Sequence, residues 1–332
     1  MINEMRELFF FIGCLFVVVG CTKPVRYQYT EGKMYGTFYH ISYAAPVDLK
    51  HELRTQMEVV NASLSMFNSN SVITKINRNE SRQTDSLFRR MFKVAQKVYR
   101  QTGGGYDITV APLVNAWGFG VGRKAFPDSA QIDSLLLMVG MDKLEIKEDE
   151  LVKSVPDMKL DASSIAKGLG VDLVAEYLDR KGVSDYMVEI GGEVRVKGQS
   201  YKGCCWRIGI DRPEDDVTGN GRQLQMIVGI TSGALATSGN YRNFYIHEGK
   251  KYAHTINPRT GFPVQTEVLS ASVYASSCME ADAYATGFMV TGLEKAKDII
   301  NYNPALEGCL IYEADGKLKV WVSEGLKKFI VP

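Results

Sequence analysis

Hydrophobic positions follow two periods along this chain. Apolar residues recurring every three or four positions predict helices over residues 50–65, 86–102, 129–139, 165–181 and 294–302, with a further helix running from residue 280. Alternation with a period of two predicts strands over residues 34–43, 186–197, 206–211, 223–231, 243–247, 252–255 and 269–274. Short strands about an acidic turn are expected over 143–155, and a closing hairpin about Asp315-Gly316. Gly103-Gly104-Gly105 stops the second helix, residues 108–120 read as a loop and short turn rich in packing residues, and 215–221 read as a surface loop. Strands joined by hairpins and covered by separate helices predict an α+β fold with mostly antiparallel sheets.

The N-terminal stretch follows neither period. Arg6 precedes an apolar run over residues 8–19 that ends in Val18-Val19-Gly20-Cys21. The run is short for a bilayer span but has the length of a signal-peptide core. A small residue followed by Cys resembles the bacterial lipobox. Residues 1–20 are therefore expected to be a lipoprotein signal peptide, Cys21 the lipidated residue, 21–32 a polar tether and 33–332 the folded domain. The expected location is exported and extracytoplasmic, on the periplasmic side, lipid-anchored to a membrane. A buried N-terminal helix is the alternative.

Composition narrows the classes. The 332 residues are 45% hydrophobic and 23% charged, enough to build a large core as one domain or two close subdomains. A net charge of +1, with no basic stripe interleaved with aromatics, argues against a nucleic-acid partner. Beyond Cys14 and Cys21 the thiols are Cys204, Cys205, Cys278 and Cys309; none has zinc-site spacing, and most are expected to be buried and inert.

Candidate chemistry gathers in a few segments. In Ala281-Asp282-Ala283-Tyr284-Ala285-Thr286-Gly287 a carboxylate and a hydroxyl stand four residues apart on one helix face, among small residues that let a ligand approach. Such a pair is half of an oxygen site for a hard cation such as Mg²⁺, although Asp near a helix start also suits the macrodipole alone. Asp161-Ala162-Ser163-Ser164-Ile165-Ala166-Lys167-Gly168 reads as an N-cap and a helix start. Its free N–H groups would suit phosphate, with Lys167 within reach; an ordinary capped helix with Lys167 in water is the alternative. In His254-Thr255-Ile256-Asn257-Pro258-Arg259-Thr260-Gly261 a strand delivers a histidine to a sharp turn. His40, His51 and His247 lie in no comparable setting. Gly191-Gly192-Glu193 allows close backbone approach, and Ala236-Thr237-Ser238-Gly239-Asn240 supplies small polar groups at a bend.

In this order these segments resemble the ApbE family, the FAD:protein FMN transferases. The block from Gly105-Tyr106-Asp107 through Trp117-Gly118-Phe119-Gly120 adds to the match, as do Gly36-Thr37 near the start and Leu64-Ser65-Met66-Phe67-Asn68. The resemblance covers roughly residues 30–330. It implies an ApbE-like, T-fold-related arrangement of two subdomains with FAD in the cleft, rather than a Rossmann site, for which no G-x-G-x-x-G is present.

The resemblance also implies roles. FAD is the substrate and Mg²⁺ the cofactor. FMN passes to a Thr or Ser hydroxyl of an exported target flavoprotein through a phosphoester, and AMP is released. Asp282 and Thr286 give side-chain oxygens to the metal, and Ser164 and Ala285 give backbone oxygens. Met34, Phe67, Gly105, Tyr106, Asp107, Asp161, Lys167 and Ile256 match positions that contact FAD. Phe67 stands where the family usually has Tyr or Trp, so it can stack but not donate a hydrogen bond. His254 takes the reactive-histidine position, as general base. Trp117 and Phe119 are expected to be packing residues. The alternatives are a Mg²⁺-dependent FAD pyrophosphatase yielding FMN and AMP, and a non-catalytic flavin-binding lipoprotein.

Overall fold

The computed structural model of the chain describes residues 26–121, 126–213, 223–241, 244–247 and 249–332. The expected signal peptide, Cys21, the loop over 215–221 and residue 243 lie outside these. The largest sheet has eight strands: β1 (Arg26–Met34), β2 (Thr37–Ala45), β3 (Tyr186–Ile190), β4 (Glu193–Lys197), β5 (Ser232–Gly239), β6 (Val268–Ala275), β7 (Glu307–Ala314) and β8 (Lys317–Val322). They lie side by side in chain order, every neighbouring pair antiparallel. Tyr35-Gly36 and Asp315-Gly316, all at positive φ, close the first and last hairpins, as a two-residue loop on right-twisted strands requires.

Four helices cover one face: α1 (Lys50–Leu64), α2 (Ser86–Gln101), α3 (Ala166–Arg180) and α4 (Cys278–Thr291). α2 buries Phe88, Met91, Phe92, Ala95 and Val98, the single stripe of an amphipathic helix. α4 is buried nearly all round, through Met279, Ala281, Ala283, Tyr284, Ala285, Phe288 and Met289, because it lies between β5 and β6 on one side and α2 and α3 on the other. Asp282 on α4 is thereby taken out of water, whereas Glu280 and Thr286 are only partly buried. Against the opposite sheet face pack Trp206–Asp211, Leu224–Ile230 and Ile330–Val331, where Trp206, Ile208 and Val228 meet Val194, Val196 and Ile311. The mixed α+β class and antiparallel pairing agree with the sequence pattern.

Several expected boundaries need correction. The tether does not extend to residue 32, since β1 begins at Arg26 and pairs along its whole length with β2. Residues 186–197 are two strands, split where Gly191 and Gly192 take φ of 67° and 104°. Residues 108–120 contain a 3₁₀ turn, Ile108–Val110, and a helix, Ala111–Ala116, with Pro112 in its permitted first turn. The bend expected at residues 236–240 is mostly β5, whose run of small residues gives little hydrophobic alternation. Among the described residues no helix is long and apolar enough to cross a membrane. Cys278 and Cys309 are buried as expected, whereas Cys204 is exposed and Cys205 half-buried; all four are free thiols.

Candidate active site

α4 opens at Ser277, whose side chain accepts the Glu280 N–H. One turn on, Asp282 and Thr286 face a cavity of about 450 Å³. Asp282 is 2% exposed, and its Oδ2 accepts the Gly168 N–H at 3.0 Å. Burial pushes its carboxyl above the usual range, against the pull of Lys167. Thr286 Oγ1 lies 3.1 Å from Ser238 Oγ on β5, and Ser164 Oγ donates to the Tyr106 hydroxyl at 3.2 Å. Asp282, Thr286, Ser238, Ser164, Tyr106 and Lys167 line the same cavity. Ala285 is wholly buried, and its side chain lines no cavity seen here.

The start of α3 differs from expectation. Asp161 does not cap it: its carboxylate accepts the Ser163 N–H at 2.8 Å in a local turn, and the helix begins only at Ala166. Several of the amides there are not left free for phosphate. Ala166 donates to the Ala162 carbonyl, Leu169 to the Ile165 carbonyl, and Gly168 to Asp282. Polar groups in a buried helix start find protein partners, and here a carboxylate from the neighbouring helix serves.

Lys167 is ion-paired with Glu193 and lines both this cavity and an adjoining one of about 660 Å³. Burial works against its ammonium, but Asp282 and Glu193 outweigh it and hold the ammonium above the usual lysine range. Burial pushes the Glu193 carboxyl up to about 7, against Lys167. Its Oε2 is buried and has no hydrogen-bond partner among the described residues. Sequence reasoning placed Glu193 in a motif but gave it no role; the signal was a carboxylate directly after two strand-end glycines.

The adjoining cavity takes in Met34 and Phe67, joined by Tyr35, Asn61 and Ser65. Phe67 is 81% exposed at its mouth. Gly105, Tyr106, Asp107, Asp161 and Ile256 line the first cavity. Asp107 accepts the Thr109 N–H and hydroxyl and the Met141 N–H, yet burial still raises its carboxyl to about 6. Asp161 is likewise raised by burial.

His254 reaches the first cavity from the far side, following the hairpin Phe244–His247/Lys250–Ala253. The turn after it is pinned: Gly261 donates to the Asn257 carbonyl, Arg259 N–H to Asn257 Oδ1, and Trp117 Nε1 donates to the Gly261 carbonyl at 2.8 Å. Trp117 is thus a packing residue, buried and stacked on Tyr252. Phe119 departs from that role by lining the cavity, edge-on to His254 with ring centroids 6.4 Å apart. His40 pairs with Glu189 at 2.6 Å, and His247 stacks on Phe126, both away from the cavity.

The donor set suits a hard cation. Asp282, Thr286 and Ser164 present oxygen, and the carboxylates of Asp107, Asp161, Glu193 and Asp282 outnumber the ammonium of Lys167. Among the described residues no three His, Cys, Asp or Glu side chains converge as a metal cluster.

The chain is similar to known proteins in sequence and in fold. The sequence model of the ApbE family matches residues 35–310. The chain is 35% identical over 339 aligned positions to the FAD:protein FMN transferase of Vibrio cholerae, covering 98% of this chain and 99% of that one. To the enzyme of the same name from Escherichia coli K12 it is 32% identical, covering 97% and 95%. Among solved structures, the flavin transferase ApbE from Vibrio cholerae superposes with a TM-score of 0.83 at 34% identity, over 92% of this chain and all of that one. The apo flavinyl transferase ApbE from Pseudomonas stutzeri gives 0.81 at 27%, over 92% and 97%.

Proposed function

Because this chain belongs to the ApbE family, we propose that it is an FAD:protein FMN transferase that uses Mg²⁺ to move FMN from FAD onto a Thr or Ser hydroxyl of an exported flavoprotein, releasing AMP. The observation that carries the reading is that Asp282 and Thr286, Lys167, and His254 face one cavity from separate elements. In the step proposed, the acceptor oxygen attacks the phosphorus of the FMN half, and the bond from that phosphorus to the bridging oxygen breaks. AMP leaves with the bridging oxygen, and the acceptor's proton passes to His254. Mg²⁺, held by Asp282, Thr286 and backbone oxygen near Ser164 and Ala285, would neutralise charge gathering on the leaving phosphate, with water and substrate completing its shell. Lys167, facing both cavities, offers a cation where a pyrophosphate would bridge them. Met34 and Phe67 would hold the part of FAD in the larger cavity, and Gly105, Tyr106, Asp107, Asp161 and Ile256 the part in the smaller.

Incubation with FAD, Mg²⁺ and an acceptor domain is expected to give a fluorescent protein band and an equal amount of AMP, both abolished by chelation. Free FMN and AMP without labelled acceptor would replace the transferase reading with an FAD pyrophosphatase. No AMP at all would leave only flavin binding. The proposal extends to location: the apolar run before Cys21 supports a lipid-anchored, extracytoplasmic protein. Cys21→Ser should then abolish lipid labelling and membrane attachment, and unchanged attachment would overturn this part.

A further inference from the structure

Helices α3 and α4 cap one another. From α3, the Asp172 carboxylate is 0% exposed and sits at the start of α4. Its Oδ1 accepts the Cys278 N–H at 3.0 Å, and its Oδ2 accepts the Met279 N–H at 2.9 Å and the Ser277 hydroxyl at 2.7 Å. From α4, Asp282 accepts the Gly168 N–H of α3. Each helix supplies the carboxylate that satisfies the other's first amides and meets the other's positive end. The contact is backbone against backbone: a Cβ at Gly168 would stand 2.5 Å from the Cys278 carbonyl oxygen and 2.7 Å from the Met279 Cα.

Strand β4 grips the same helix from the sheet. Glu193 and Arg195 are two residues apart and share a face. Glu193 pairs with Lys167, and Arg195 Nη1 bonds Asp172 Oδ1 at 2.7 Å. α3 thus offers a cation and an anion, and β4 offers their complements.

Asp172 lines neither cavity of the site. We propose that it is a positioning residue: by fixing the start of α4 it sets where Asp282 and Thr286 stand relative to Lys167. This rests on the reading of Asp282 and Thr286 as metal ligands. Both Asp172 oxygens are taken up by donors, so loss of one acceptor loosens the helix start from which the ligands project. A residue that served stability alone would lower the melting temperature and leave the metal affinity of the folded protein unchanged.

The test is a titration of the full chain with Mn²⁺, followed by electron paramagnetic resonance with FAD present and below the melting temperature. Asp172→Asn is expected to weaken Mn²⁺ binding about tenfold or more, as loss of a partner that orients ligands does, while FAD affinity without metal is unchanged. Because that variant leaves Arg195 without its anion, Asp172→Asn/Arg195→Gln is made alongside. The double variant should regain melting temperature yet keep the weakened Mn²⁺ midpoint. Should Asp172→Asn fail to fold, the double variant and Ser277→Ala carry the test, the latter losing both its bond to Asp172 and its cap on the Glu280 N–H, with a shift of about threefold or more. A wild-type midpoint in the folded Asp172→Asn or double variant overturns the proposal. If the wild-type chain itself binds no Mn²⁺, the metal reading falls, and this proposal falls with it.

Discussion

At the α3–α4 junction the groups that face the cavity are fixed in the core. Asp282 is buried and bonded to the Gly168 amide, and Lys167 is paired with Glu193. His254, on the opposite wall, follows a two-stranded hairpin that joins no strand of the main sheet and is held by stacked rings of Tyr245, Tyr252, Phe119 and Trp117. A two-stranded hairpin has little stability of its own and depends on such packing. The contrast suits the two tasks proposed above. Ligands that fix a metal against a pyrophosphate need a rigid frame, whereas a base that meets a hydroxyl on another protein must be reached from outside. The rigid end carries a cost, seen in the carboxylates that burial pushes upward.

The comparison breaks most sharply at its two centres. Asp282→Ala removes the proposed metal ligand and the cap on Gly168 together. AMP release is expected to fall about 10³-fold, and stability by about 1 kcal/mol in denaturant titration. A variant that keeps its rate would remove Asp282 from the chemistry. His254→Ala should separate rate from structure: transfer falls about 10²- to 10⁴-fold, while FAD binding and melting temperature stay as in wild type. Wild-type labelling by that variant would show that the base lies elsewhere.

Gly168→Ala tests whether the junction is as rigid as its contacts imply. The added methyl meets backbone on α4 rather than a side chain able to turn away. A loss of about 2 kcal/mol or more is expected, with weaker metal binding. The electrostatic cost is tested at Asp107, where burial raises the carboxyl from 3.8 to about 6. The folded chain then holds this proton more tightly than the unfolded chain, so the contribution of Asp107 falls as pH rises from about 4 to 6. Asp107→Asn should flatten melting temperature against pH in that window, by up to about 2–3 kcal/mol of stability. An unchanged slope would mean that Asp107 is solvated.

The two ends also differed in how far the sequence revealed them. The Asp282/Thr286 spacing was legible because helical periodicity puts positions i and i+4 on one face whatever surrounds them. What surrounds them was not. That Asp282 caps α3 and that Glu193 holds Lys167 are contacts between segments far apart in the chain. No local pattern encodes them. The strand 186–197 was read as unbroken because its alternation continues past Gly191-Gly192, whose positive φ values make the turn. β5 went unread because Gly, Ala and Ser at alternate positions give no contrast. On the rim, Trp117 was correctly read as packing, but Phe119, two residues on, turns into the cavity.

The smallest change asks whether the two ends are independent. Trp117→Phe keeps a ring against Tyr252 and removes only the bond from Nε1 to the Gly261 carbonyl. Gly261 is buried at φ 76°, and a Cβ there would strike Ile132, so the turn cannot easily reshape to find that carbonyl another donor. The loss should be about 1 kcal/mol. It falls on the turn that begins at His254, so transfer to the acceptor should slow a few-fold, about what a slightly misplaced base costs. Mn²⁺ affinity should not move, because among the described residues no hydrogen bond from Trp117 or Gly261 reaches α3 or α4. If it weakens together with the transfer rate, the hairpin and the helix junction form one mechanical unit, and the division of labour between them is wrong.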